Sequence, residues 1–439
     1  MESRKVWTEI RLFPRGIDMS KKSKINSKNR ILIGAAAMAI LVAGSMLSVY
    51  GISKAFSRFD LPKAEAAENS QNGTDANGSP ASQGNTASFT FTGVGDNLLH
   101  DPIFYYFEED HGNRDYLPIY ANTLEMQQAA DLSYINFETI CAGDDFGLSG
   151  YPDFNGPVEM IDTLSQTGVN WISTASNHSL DRGPEGLLFE MSYINDHYPQ
   201  ITYTGTYMNE EAYNTPMVKE INGIKVGMAT FTYGLNGRVL PEGYEWLIDV
   251  YADNDGTVDY DRMKTVLDRL NEVSDVQIVT MHWGEEYQNT PNDQQKAVAQ
   301  FLHENGVEAV IGTHPHVIQP AEMMVSEDQT TLVYYSLGNF LSAQNQNITM
   351  VGGMADFTLN YDFDTRKASF SDVEFIPTVT WISPDLRQYE THTLPQWTDE
   401  MGQNHYIYQG EGQDMSVQWI RDYVASVMGT PENIKIVYE

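Results

Sequence analysis

The chain is poor in three things: cysteine, basic side chains beyond its first thirty positions, and long hydrophobic runs. Cys141 stands alone among 439 residues, so no disulfide can form within one chain and stability must come from the core, aided by any bound metal. Nine of the 26 Lys and Arg residues fall in residues 1–30 beside three acidic ones, and residues 31–50 carry no charge, which leaves the remainder forty charges negative. A body of that sign repels phosphate backbones, and nucleic acid is excluded as a partner. No repeat period is evident, which argues against solenoids and propellers.

The one long apolar run, Ile31–Tyr50, holds 20 residues, the length that crosses about 30 Å of hydrocarbon as a helix. The basic cluster ahead of it places residues 1–30 in the cytoplasm and everything after residue 50 outside. A cleaved signal peptide is the alternative, and Ala64-Glu65-Ala66 has the small-x-small pattern of a cleavage site. Signal cores usually run about 7 to 15 residues, so an uncleaved, single-pass cell-membrane anchor is expected; either way the body is exported. Residues 51–88 read as a spacer, with 67–88 (AENSQNGTDANGSPASQGNTAS) almost free of large apolar side chains.

Beyond the spacer the composition is that of an ordinary globular chain, 41% hydrophobic, and the length suits two or three structural units. Short β-branched or aromatic runs alternate with helical periods, the pattern of a layered α/β or α+β domain. Strands are expected near Phe89–Val94, Leu132–Asn136, Trp171–Thr174, Lys225–Thr230, Gln277–Met281, Ala309–Ile311 and Leu332–Ser336. A helix fits 293–304, with Asp293 as its cap and Gly306 beyond its end. From about 347 the alternation of Asp356–Asp362 and Ser369–Ile376, followed by Pro377, predicts hairpins, and a helix over Met415–Val427 is expected to cover that sheet.

Strand after strand ends in a side chain able to bind metal. Asp96 follows FTFTGVG, Glu138 follows LSYINF, Asn177 and His178 follow WISTAS, His282 follows VQIVTM, and His314-Pro315-His316 follow EAVIGT. Ligands of open α/β sheets gather beyond the carboxyl ends of strands. Singly, each residue also reads as a turn, a cap or a packed imidazole; the coincidence of two carboxylates, an Asn and several imidazoles favours a site. Mixed oxygen and nitrogen donors suit Mn, Fe or Zn. Alternate positions in His314-x-His316 are expected to face opposite sides of an extended segment, so the pair could contact both members of a two-metal site, or one metal and a substrate.

The blocks GDNLLHD at 95–101, NFE at 136–138, SNHSLDRG at 176–183, MHWGEEY at 281–287, GTHPHVIQP at 312–320 and SLGNF at 336–340 resemble the signature segments of the CapA proteins of poly-γ-glutamate capsule production. The resemblance covers about residues 89–345. It implies a metallophosphatase-like layered β-sandwich flanked by helices, with 346–439 as a β-rich extension of the same body. It implies Asp96, Glu138, Asn177, His282, His314 and His316 as ligands of a divalent metal, two ions in number, and His178 as a proton donor to the leaving group or a stabiliser of the transition state. Asp181 either orients His178 or caps a helix starting at Arg182–Gly186. The sequence departs from the metallophosphatase Asp-x-His opening, because Leu98 stands where the His would be and His100 lies two residues on.

Trp283 and Tyr287 could shape a cleft or pack in the core, Glu285 and Glu286 could support the imidazoles, Asn339 could donate to substrate or close a turn, and Cys141 reads as a small core residue. Three functions are compatible with these features. The first is an anchored capsule protein with a hydrolase-type site, acting on a polyanionic γ-glutamyl polymer. An exported phosphoesterase is the second, and a noncatalytic subunit tethered to a polymer synthase the third. An acidic body would repel a polyanion, so the first needs local positive charge or bound cations.

Overall fold

The computed structural model describes residues 85–253 and 255–439. The expected span 31–50 and most of the spacer lie outside the described residues, and among the described residues no helix is long and apolar enough to cross a membrane.

The chain first lays down β1 (Thr86–Asn97), β2 (Leu132–Asn136), β3 (Trp171–Ser173) and β4 (Thr202–Thr204) as parallel neighbours. It then builds a second sheet from β5 (Val218–Ile221), β6 (Ile224–Thr232), β7 (Val276–His282), β8 (Ala309–Thr313), β9 (Ile318–Val325) and β10 (Thr330–Leu337), ordered β5-β6-β7-β8-β10-β9. Finally β11 (Asn339–Leu341), β12 (Val351–Asp362), β13 (Lys367–Ile382), β14 (Tyr389–Thr393) and β15 (Lys435–Ile436) return to the first sheet, which runs β14-β13-β12-β1-β2-β3-β4. The central strands are mostly apolar because both faces are covered: every residue of β2, β7 and β8 is buried.

The two sheets share one core, in which Phe91, Tyr134 and Trp171 of the first meet Val226, Ile278 and Ile311 of the second. Buried hydroxyls cross the same space: the Trp171 indole N–H donates to Thr204 Oγ1 at 2.8 Å, and Thr204, Thr230 and Thr280 are linked at 2.6 Å each. Four helices matter below: α1 (Gly183–His197), α2 (Glu210–Asn214), α3 (Tyr260–Asn271) and α4 (Asp293–Glu304). Met263 and Leu267 of α3 and Val298 and Leu302 of α4 cover the outer face of the second sheet.

The seven expected strands all form, most of them one to three residues longer than read. Thr86–Ser88, assigned above to the spacer, already pair with Asn360–Asp362 of β12. Helix α4 has the expected bounds, but its cap is Asn292, which accepts from the Gln295 N–H at 2.9 Å while Gln295 returns a bond to the Asn292 N–H at 3.0 Å. The β12–β13 hairpin forms, with Pro377 inside β13 and not at its end. The last helix, α5 (Val417–Met428), packs against β9 of the second sheet, not over the hairpin as expected. Its amphipathic face found the nearest unshared apolar surface, which the hairpin pattern could not reveal.

Gly95 sits where β1 passes the β10–β11 junction, and a Cβ there would lie 1.8 Å from the Gly338 carbonyl oxygen. Gly95→Ala should therefore lower stability by about 1–3 kcal/mol or more, against about 0.5 or less for Gly234→Ala, whose Cβ would meet open space. Equal urea midpoints for the two variants would contradict this packing. A second expectation concerns Glu190 of α1, 2% exposed, whose carboxylate accepts the Cys141 N–H. Burial pushes its pKa up to about 8, with the Cys141 bond opposing. Between the unfolded value, about 4.3, and that raised value the folded chain holds a proton that the unfolded chain has lost, so stability falls as pH rises through this window. Glu190→Gln should flatten the fall; an unchanged slope of unfolding free energy against pH would refute the assignment.

Candidate metal centre

The carboxyl ends of β1, β2, β3, β7 and β8 meet at one rim, and all six expected ligand residues converge there. Asp96, fully buried at the tip of β1, accepts from Asn136 Nδ2 at 2.8 Å through Oδ1 and faces His316 Nδ1 at 3.1 Å through Oδ2. Glu138, two residues past β2, is 1% exposed, and neither of its oxygens has a hydrogen-bond partner among the described residues. Its Oε1 lies 3.7 Å from His316 Nε2 and 3.8 Å from His282 Nε2. Asn177 presents Oδ1 to His282 Nε2 at 2.9 Å, an orientation fixed because its Nδ2 donates to Asn236 Oδ1 at 3.1 Å.

Two three-donor groups follow. Glu138, His282 and His314 form one, Asp96, Glu138 and His316 the other, each with ligand atoms within 4.8 Å of one another. Glu138 belongs to both. A third group joins Glu286 to His314 and His316.

The electrostatics suit cation binding. Burial raises the Glu138 carboxyl well above its ordinary range; His316 opposes that rise, and Asp96 and Glu286 add to it. Burial lowers His282 and His314 well below the ordinary imidazole value, and their imidazole neighbours lower them further, so both rings are neutral. Burial also acts downward on His316, but Glu138 and Asp96 outweigh it and raise it to about 9. His314 Nδ1 is buried and has no hydrogen-bond partner among the described residues. Two orphaned carboxylate oxygens and an orphaned ring nitrogen around one centre fit a divalent cation, and the mixed donors match those of Mn, Fe or Zn sites.

The His314-Pro315-His316 segment is not extended. His314 has φ 94° and His316 φ 59°, and both rings turn to the same centre, 5.8 Å apart, in place of the opposite sides expected above. Left-handed backbone at non-glycine residues costs on the order of 1–3 kcal/mol each, and residues two apart share a face even in an extended strand, so neither backbone puts the pair on opposite sides.

Asp181 resolves its two readings by contact. Its Oδ2 lies 2.7 Å from His178 Nδ1 and accepts the Phe154 N–H at 2.7 Å, while Arg238 reaches Oδ1 at 3.2 Å. Helix α1 starts at Gly183, and neither Asp181 nor the N-cap residue Arg182 gives it a side-chain cap. The Phe154 ring stands edge-on to His178, at 4.6 Å, and to His100, at 5.4 Å. His100 accepts from the Ala343 N–H at 3.3 Å and belongs to none of the three donor groups.

Several side chains at this rim escaped the sequence reading. Glu286 is a possible donor and not merely a support, because Gly284 and Tyr287 both have positive φ and curl the loop back toward His316. Asn136 and Asn236 fix Asp96 and Asn177, and Thr313 Oγ1 meets His282 Nδ1 at 3.2 Å. Asn339 closes the loop after β11, its Nδ2 donating to Ser342 Oγ at 3.1 Å, Gln344 Oε1 at 2.9 Å and the Thr349 carbonyl at 3.0 Å, while its Oδ1 lies 3.0 Å from His316 Nδ1. Trp283 belongs to the outer core, its N–H on the Tyr335 carbonyl at 2.8 Å, whereas Tyr287 is 38% exposed near His316. Cys141 is buried, and burial raises its thiol well above the ordinary range.

Residues 90–344 match the sequence family described as "Bacterial capsule synthesis protein PGA_cap". The chain belongs to that family. Among curated relatives it is 25% identical over 211 residues to the "PGA biosynthesis protein CapA" of Bacillus subtilis, covering 46% of this chain and 50% of that protein. It is 24% identical over 202 residues to the "Capsule biosynthesis protein CapA" of Bacillus anthracis, covering 46% and 47%. The chain thus matches about half the length of these relatives. Solved structures of similar arrangement include a phosphatase from Mycoplasma pneumoniae, with TM-score 0.41 and 15% identity over 67% of this chain and 94% of that one. Another is a 5'-nucleotidase from Candida albicans, with TM-score 0.37 and 14% identity over 65% and 51%.

With chelator present, Glu138→Gln should melt at or above the wild type, because the substitution removes a buried ionisable group that makes no hydrogen bond among the described residues. On adding Mn or Zn to about a hundred times its dissociation constant, the wild type should gain about 2.7 kcal/mol and the variant much less. Equal metal-induced shifts in calorimetric melting would remove Glu138 from the centre.

Proposed function

We propose that this chain is an exported, membrane-anchored capsule protein whose rim of donors is a two-cation hydrolytic centre acting on a γ-linked glutamyl polymer. The observation that carries the reading is Glu138, buried, unpartnered and common to two donor groups. The family assignment supports capsule synthesis, and the names of the two Bacillus relatives support the polymer. The apolar run 31–50 with its basic flank supports the anchor, and through it contact with synthase subunits in the cell membrane.

Asp96, Glu138, Asn177, His282, His314 and His316, with Glu286 at the edge, would hold the cations. When bound, such ions polarise a scissile carbonyl or phosphoryl oxygen and lower the pKa of an attacking water toward 7. The protein's own part lies in its dyad. Asp181 accepts the Nδ1–H of His178 and fixes the ring against Phe154, so that the ring, once protonated on both nitrogens, can pass its Nε2 proton to the departing amine or alcohol and return to the neutral form. Arg182 and Arg238 bring positive charge beside this dyad, offsetting locally the acidity of the body. An exported phosphoesterase is the second reading, and the same dyad would serve an alkoxide leaving group.

Elemental analysis of the purified protein should find near two equivalents of Mn, Fe or Zn, lost in a His282→Ala/His314→Ala double variant. His178→Ala should keep the metal and slow turnover by about 10²–10⁴-fold. Shortening of poly-γ-glutamate supports the first reading, and phosphate release from ester panels with the polymer left intact moves the assignment to the second. Failure of the folded, metal-supplied protein to retain any ion would sink both.

A further inference from the structure

Away from the rim, a cavity of about 270 Å³ opens between β4, α2 and α3, near the lower size of ligand pockets, roughly 300 Å³. None of the metal-centre residues lines it. Its walls divide by chemistry. Met228, Val266 and Leu270 form an apolar side, and Thr202, Thr206 and Arg269 a polar one.

Arg269 is the informative member. The described residues place no carboxylate within ion-pairing distance of its guanidinium, which lies 5.4 Å from the Tyr213 ring centroid and donates once, to the Tyr213 carbonyl at 3.2 Å. The neighbouring Arg262 also lies over the Tyr213 ring, 5.6 Å from its centroid, but is already paired, with Asp249 at 3.4 Å and the Ile248 carbonyl at 2.9 Å. Asp249, fully buried, is further engaged by the Tyr207 hydroxyl. In a body forty charges negative, Arg269 is half-buried at the cavity wall, feels the Asp249 carboxylate only beyond ion-pairing distance, and keeps spare guanidinium donors that an anion in the cavity could take up.

We infer that this cavity binds a small monocarboxylate with an apolar tail. The planar guanidinium fork accepts a carboxylate through two parallel bonds, and the tail would lie along Met228, Val266 and Leu270. A single guanidinium balances a single charge, and the nearby Asp249 carboxylate disfavours a dianion such as a phosphate monoester. Helix α2 forms the lid, held to α3 by the two arginines stacked on Tyr213. The cavity backs onto the metal centre through Thr206, whose hydroxyl meets that of Thr174 at 2.5 Å, three residues before Asn177.

Titration calorimetry of the full-length protein with hexanoate and with hexanamide, its neutral isostere, tests this. Hexanoate should bind about tenfold or more tightly than hexanamide, and Arg269→Met should remove that preference. Val266→Phe, which fills the cavity and keeps the arginine, should abolish binding of both, and it decides the matter should the methionine variant fail to fold. His282→Ala should leave hexanoate binding unchanged, which separates this cavity from the metal centre and from the function proposed for it. Equal binding of acid and amide, binding that survives both cavity variants, loss of binding in His282→Ala, or no binding at millimolar hexanoate would each overturn the inference.

Discussion

A carboxylate taken out of water with nothing to bond it is the constraint around which this protein is built. Burying an unpaired charge costs several kcal/mol, and a chain selected only for stability would place an apolar residue at the end of β2. Here Glu138 is retained there, with Asp96 close enough to raise its pKa further. Either a proton on the carboxyl or positive charge beside it relieves that arrangement, and His316 supplies part of the latter. The fold carries the cost because its core elsewhere is large and continuous across both sheets.

The same economy explains the backbone around the rim. His314 and His316 adopt left-handed conformations that strands avoid, and the neighbouring turns hold them there. Asn339 is central to this support. As the first residue of β11 it pairs with Asp96 in the sheet, while its side chain meets His316. One residue thereby sets the distance between Asp96, a candidate donor from the first sheet, and His316, a candidate donor that follows a strand of the second.

Much of this could be read from the chain because buried parallel strands are nearly continuous apolar runs, and a polar residue at their ends stands out. That contrast made β2, β7 and β8 legible, and with them Glu138, His282 and the histidine pair. Glu286 was not legible as a donor because its loop curls through positive φ at Gly284 and Tyr287, which periodicity does not encode. The cap of α4 was misplaced by one residue because Asn292 and Asp293 are both good caps, and only the reciprocal bond with Gln295 distinguishes them. The destination of α5 depended on which sheet had apolar surface left to cover, a property of the assembled fold and of no local segment.

The family match stops at residue 344, yet β12 begins at Val351 and pairs with β1 from Thr86 to Val94. The boundary of shared chemistry is therefore not a boundary of folding. A chain ending at 344 would keep every donor of the rim and leave one flank of β1 as a row of open backbone groups, the template on which strands of other molecules add. What that flank of β1 demands is a hydrogen-bonding edge, and this chain supplies it with β12, from outside the matched residues.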